Sequence, residues 1–350
     1  MKDSREYLTS RSGRMQQFAG AQRSVLMEGK AFGVETVDLW NHAGVQLQVF
    51  PGRGMDIGRL TLGAVPFSYM AKPGIAGPGY YESNGMNWLR NFFAGMLTTC
   101  GLSNVGGPEM IEDPIMGTTE LGLHGRISNS GAENVCVSQR WEDDDYIVSV
   151  SGEMRESCLH RENFVLRRKI WLSLAEKTVH IDDEIENESY LDLPLMLLYH
   201  INVGYPVLSE DAHFMRSDAL TQPREDYGSE RWQDMELPQA GYTERVYLHK
   251  PVKGAPAMAA VVNKAAQLAF VVEFDPEQLP CLTQWKMCNL SEYVMGIEPG
   301  NCHPLGRSKT KEEGGLEILP AGGKKRVSIK LRMMNTKEEI DALLAEGVLV

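Results

Sequence analysis

The chain has 350 residues, 43% of them hydrophobic, and a formal net charge of −12 from 47 acidic and 35 basic side chains. That is enough apolar material for a large buried core, and all-β architectures of this size often form one domain. The acidic balance repels phosphate backbones, which argues against nucleic acid as a partner and favours a neutral or cationic small molecule.

The opening stretch, MKDSREYLTSRSGRMQQFAG, lacks the apolar centre and cleavage signature of a secretory leader. The most apolar run, LPLMLLYHINV, is too short for a membrane span and contains a proline, so no membrane association is expected. Cysteines stand at 100, 136, 158, 281, 288 and 302 without a C-x-x-C pair. They read as reduced thiols of a cytoplasmic protein, not as a disulfide framework or zinc site.

Along the chain, the first clear strand places Val45, Leu47 and Val49 in alternation with Gln46 and Gln48. It runs into FPGRGMDIG, with glycines at 52, 54 and 58. A dinucleotide loop needs G-x-G-x-x-G entering a helix. Here the third glycine comes one residue late, and the following RLTLGAVPFSYM is a poor helix. The glycines instead predict a turn that displays Arg53 and Asp56. Those two form either a solvated surface ion pair or part of a polar cleft at the sandwich edge.

Further on, Ser83 or Asn84 is a candidate cap for a short helix over GMNWLRNFF. In LGLHGRISN, an extended backbone would put His124 and Arg126 on one face, a donor-rich patch suited to an oxygen-rich ligand. The runs YIVSVSG, FVLRRKIWLSL and TVHIDDEI follow as strands. LPLMLLYHINVGYP then places His200 and Asn202 on one face where a buried strand becomes a loop. His200 there is either a satisfied core residue or a site residue.

After the strands MAAVVN and LAFVVEF, Trp285 in TQWKM is either a core aromatic or a stacking platform. Glu298 ends the apolar run of EYVMGIEPGNC just before Pro299 and Gly300. A carboxylate there is paired or functional, because burying it alone is too costly. HPLGRSKTKEEGG, residues 303–315, reads as a mobile loop. RVSIKLRM is a last strand, and TKEEIDALLAEG is a helix capped by Thr336 and stopped by Gly347.

Strands never alternate with helices in this pattern, so a doubly wound parallel sheet is disfavoured. The expectation is an all-β, mainly antiparallel sandwich with a few short helices. It forms a single domain over residues 1–350, with residues 1–30 and a C-terminal helix at 336–346 as appendages. His124, His200 and Glu298 are the right types for a two-histidine, one-carboxylate metal site, but no short-range ligand spacing supports one, and no metal is expected. No G-x-S-x-G elbow occurs. A glycoside hydrolase would need two carboxylates flanking one bond, with Asp56 and Glu298 as the candidates.

Taken in order, GRGMDIG, LTTCGLSNVGGP, LGLHGRISN, HINVGYP, LPCLTQWKM and EYVMGIEPGNC span from about residue 50 to 302. Together they resemble the DUF4432 branch of the galactose mutarotase-like, or aldose 1-epimerase-like, proteins. The resemblance implies a galactose mutarotase-like β-supersandwich with a carbohydrate cleft. It also implies an aldose 1-epimerase that interconverts sugar anomers without a cofactor. On that reading Glu298 is the base, His200 the acid and His124 a substrate-holding histidine. Arg126, Arg53, Asp56 and Asn202 would hold hydroxyls, and Trp285 would stack on the ring. At reference pKa values Glu298 would be ionised and His200 could be kept protonated by a nearby carboxylate. The chain has HINVGYP and LGLHGRIS where aldose 1-epimerases usually have H-x-Y-F-N-L and N-H-L-H-G-G, so the acid and base match while the sugar-reading stretches differ. A non-catalytic sugar-binding or sensor protein, and another sugar epimerase, isomerase or glycosidase, are the alternative classes.

Overall fold

A computed structural model describes residues 4–113 and 117–349. Two antiparallel sheets, of twelve and eight strands, face each other, and two small two-stranded ribbons sit outside them. The long alternating runs build the eight-stranded sheet, where Asp145–Ser157, Asn163–Leu172, Thr178–Asn187 and Lys324–Met334 are consecutive neighbours. Their period of two does what it predicts. Val179, Ile181 and Ile185 point into the core. Glu184 and Glu186 face out and pair with Lys324. Side chains from both sheets meet in one apolar cluster that runs from Leu8 to Met333.

The twelve-stranded sheet explains the unbroken apolar run at 195–203. Its central strands are covered on both faces, so they have no polar side. In Leu193–Val203, the side chains of Tyr199, Ile201 and Val203 enter the inter-sheet core. Met196 and Leu198 point the other way, into a second cluster with Trp88, Phe92, Leu123 and Cys302. His200 and Asn202 share that second face by alternation.

Two local expectations change. The segment 84–93 is not an α-helix: only a 3₁₀ turn, Asn87–Arg90, forms, with no side-chain cap. Ser83 is used elsewhere, accepting from Arg126, and the aromatic side chains of the segment are drawn to separate clusters. Residues 303–315 are not a loop throughout, since Arg307–Glu312 is helical. A carboxylate distant in sequence, Glu109, accepts the N–H of Ser308 at 3.1 Å, and the Arg307 side chain donates to the Ser103 carbonyl at 3.0 Å. The C-terminal helix Lys337–Ala345 is capped by Thr336, which accepts from the Glu339 N–H. It covers the outer face of the eight-stranded sheet through Ile340 and Leu343. Among the described residues no helix is long and apolar enough to cross a membrane.

Candidate active site

The strand Leu193–Val203 pairs antiparallel with Glu292–Gly300. The partners Leu198–Gly300 and Ile201–Ile297 bracket His200 and Glu298, which therefore stand directly opposite each other. Residues opposed in this way hold their Cβ atoms about 5 Å apart, close enough for side chains to touch. His200 Nε2 lies 3.3 Å from Glu298 Oε1. Thr98 continues the row on one side and Thr283 on the other. Two residues 98 positions apart in sequence thus become neighbours through strand register alone.

Room for the carboxyl comes from Gly296. It lies two residues before Glu298 on the same face, and a Cβ there would sit 2.5 Å from Glu298 Oε1. Aromatic rings wall the pair. Phe92 and Trp285 contact the His200 ring at centroid distances of 5.1 and 5.3 Å, and Trp88 stacks on Phe92 at 4.7 Å. His124 completes the group, its ring 6.3 Å from that of His200 and 4.8 Å from Trp88. His200 and Glu298 are only 6% and 3% exposed. Yet His200 Nδ1, Glu298 Oε1 and Asn202 Oδ1 have no hydrogen-bond partner. Three unsatisfied buried polar atoms on one face of the sheet are costly to stability and mark a place where a polar ligand has something to gain.

Burial controls the protons. It lifts the Glu298 carboxyl well above the usual carboxylate range, with the Glu244 carboxylate adding to the rise and Arg224 opposing it. It lowers His200 to about 3, helped by His124 and resisted by Asn202. The same effect lowers His124 to about 4, against the pull of Glu244. These directions run against the expected ionic pair: burial favours the proton on the carboxyl and a neutral imidazole. Both arrangements hold one proton, so the difference is where that proton rests. His124 Nδ1 accepts the Gly106 N–H at 3.3 Å. A neutral His124 must then carry its own proton on Nε2, as a donor.

Of the residues singled out in the sequence, His124, His200, Asn202, Trp285 and Glu298 come together. Asn202 is fully buried and spends its amide on the carbonyls of Ala94 and His200, at 3.2 and 2.8 Å. Three others go elsewhere. Arg53 is 1% exposed, and its guanidinium donates to the carbonyls of Ser128, Asn91 and Ala76. It is neither a surface ion pair nor a cleft residue but a staple that fixes the segments carrying Trp88 and Phe92. Asp56 is wholly buried on the inter-sheet side, bonded to the Thr99 hydroxyl at 2.6 Å and to Arg168 at 3.2 Å. Arg126 parts from His124 because the backbone between them is not extended: His124 and Gly125 have φ of 55° and 69°. Arg126 lines a separate hollow of about 230 Å³ with Tyr81, Glu120 and Arg161.

Sequence reasoning missed the walls Trp88 and Phe92, the enabling Gly296, and a rim formed by Glu244 and Arg224. Glu244 accepts the Trp285 indole N–H at 2.8 Å and pairs with Arg224 at 2.7 Å. A larger cavity of about 600 Å³, lined among others by Met110, Arg161, Phe164 and Arg307, contains none of the His–Glu group.

A family model described as "Domain of unknown function (DUF4432)" matches residues 31–333. The chain belongs to this family. No curated protein matches this DUF4432 chain. Solved structures do. A "putative aldose 1-epimerase" from Klebsiella pneumoniae subsp. pneumoniae MGH 78578 superposes with a TM-score of 0.84 at 23% identity, covering 93% of this chain and 86% of its own. A galactose mutarotase-like protein from Clostridium acetobutylicum gives 0.59 at 14% identity, with coverages of 91% and 100%. Galactose 1-epimerase from Lactobacillus acidophilus NCFM gives 0.59 at 14%, with 90% and 99%. At such identities the likeness is one of fold, and the fold of this DUF4432 protein is galactose mutarotase-like.

Proposed function

We propose that this DUF4432 protein is a carbohydrate-active isomerase of the aldose 1-epimerase type, with His200 and Glu298 as its proton-transferring pair. The observation that carries the reading is the cross-strand contact of these two groups at 3.3 Å, beside the aromatic rings of Phe92 and Trp285. Changing the anomer of a cyclic sugar requires a proton to leave the C1 hydroxyl and another to reach the ring oxygen. Both oxygens are bonded to the same carbon, so the two groups that serve them must be close neighbours.

With a sugar bound and the pair's one proton moved to His200, the ionised Glu298 takes the C1 hydroxyl proton while His200 delivers its own to the ring oxygen. The C1–O5 bond breaks, C1 becomes an aldehyde, and rotation about C1–C2 precedes closure on the other face. Ring closure returns each proton to its origin. At the open-chain stage the proton sits on Glu298 and His200 is neutral. Burial favours that distribution, as the pKa directions of the two groups indicate. Trp285 and Phe92 offer flat apolar surface to a ring face, and His124 Nε2–H offers a donor to a hydroxyl. With Asp56 held at Arg168, the two-carboxylate arrangement of a glycosidase loses its second member.

Exchange NMR of a panel of aldoses tests the proposal. The wild type is expected to speed anomer exchange for at least one sugar. Glu298→Gln should lose roughly a hundred- to ten-thousandfold in turnover while still binding that sugar. Binding without any catalysed exchange by the wild type would leave a sugar-binding protein instead.

A further inference from the structure

His200 and Glu298 are almost closed off from solvent, so a ligand reaches them only if a wall moves. The three aromatic walls are not equally held. Trp88 is 3% exposed and its indole N–H donates to the Ser128 hydroxyl at 3.3 Å. Ser128 is itself gripped by the buried Arg53 staple. Phe92 is 9% exposed and lies under Trp88. Trp285 is only partly buried, and its polar anchor is Glu244 on the rim. Glu244 in turn is held by Arg224, with side-chain exposures of 41% and 31%. Glu244 immediately precedes the strand Arg245–Pro251, and Arg224 immediately follows the strand Ala219–Pro223 that pairs with it.

We propose that Glu244 and Arg224 are positioning residues whose grip on the Trp285 indole N–H makes that ring the door to the His200–Glu298 pair. Releasing the Glu244 hydrogen bond lets the ring swing from the His200 imidazole, and remaking it encloses what has entered. The inference rests on the proposed function for the identity of the guest, but the door itself is a property of the walls. Partly exposed hydrogen bonds are the ones that open most readily, whereas the Arg53-stapled wall stays put.

Diethyl pyrocarbonate labelling of His200, read by peptide mass spectrometry, tests the door without any sugar. His213, whose side chain is 61% exposed, is the internal reference. His200 in the wild type should label slowly. In Glu244→Leu, and in Trp285→Phe, which keeps a ring but loses the N–H, labelling should rise about tenfold or more relative to His213, as expected when a local closed state is lost. Glu244→Gln, whose single amide oxygen can still accept from Trp285 although the Arg224 ion pair is lost, should label far more slowly than Glu244→Leu. Equal His200 labelling in the wild type and Trp285→Phe overturns the proposal. So does Glu244→Gln labelling as fast as Glu244→Leu, which would assign Glu244 a purely electrostatic role. A wild type that catalyses no anomer exchange removes the proposed function and leaves the labelling result to decide the door on its own.

Discussion

Gly296 and Glu298 point to the same side of one strand, and a methyl group on Gly296 would lie 2.5 Å from Glu298 Oε1 and 3.0 Å from the Trp285 Cβ. The absence of a side chain at 296 is thus what leaves room for the carboxyl where it stands, 3.3 Å from His200. Gly296→Ala should push the Glu298 carboxyl away from His200 while the strand pairing survives, because a flexible side-chain end yields more easily than backbone. The expected result is a fall in kcat of about tenfold or more, with the thermal unfolding midpoint little changed. Steady-state anomerase kinetics beside a melting curve would check both halves.

The His200–Glu298 pair also predicts a particular dependence of stability on pH. In the folded protein the pair keeps one proton from the low-pH side, where His200 titrates at about 3, to well above the ordinary carboxylate range. Unfolded, the same two groups hold two protons below about pH 4.3, one between there and about pH 6.5, and none above. Stability follows the difference in bound protons. The pair is therefore neutral to pH in the middle window and destabilising on both sides of it. Above pH 6.5 the folded state holds the extra proton, so stability falls by about 1.4 kcal/mol per pH unit while that lasts. Glu298→Gln removes this limb. The variant should gain thermal stability over the wild type, and the gain should widen as the pH rises above 6.5 for as long as the folded carboxyl keeps its proton. On the acid side, His124 and His303 at about 4 and His249 at about 3 add to the loss below pH 6.5, since each is neutral when folded and charged when unfolded.

Asp56 supplies a contrasting case. Arg168 holds Asp183 through bonds of 2.9 and 2.7 Å and reaches Asp56 at 3.2 Å, with Tyr199 donating to Asp183 at 2.7 Å. One buried guanidinium thus serves two carboxyls, and burial lifts Asp56 to about 6 despite Arg168 and Thr99. Arg168→Met leaves both carboxyls without their cation and should cost about 3–5 kcal/mol in urea unfolding. Asp56→Asn keeps an acceptor for Thr99 and should cost about 1 kcal/mol. It should leave kcat/KM for the sugar unchanged, since Asp56 is on the inter-sheet side. A large loss of activity without a matching loss of stability would return Asp56 to the cleft.

Much of this was readable before any coordinates. Alternation along TVHIDDEI and its neighbours marks inward and outward faces because a strand has a period of two, whatever it pairs with. Glu298 was conspicuous because a carboxylate ending an apolar run is physically expensive. What misled were residues whose meaning depends on partners far along the chain. Arg53 and Asp56 looked exposed on a glycine turn, yet their partners, Ser128 and Arg168, come from strands and loops 75 and 112 residues later. His124 and Arg126 looked like one face, but two left-handed residues turn the backbone between them.

By itself the sequence determined the sheet-forming pattern, the buried strand that carries His200, and the anomalous carboxylate at 298, because periodicity and the cost of a buried charge are local properties. Only the tertiary structure decided that these two groups meet, that Gly296 makes the space, that Trp88, Phe92 and Trp285 wall them, and that burial shifts the pair's proton toward the carboxyl. Those outcomes depend on strand register and on the exclusion of water, and neither exists until the sheets have paired and packed.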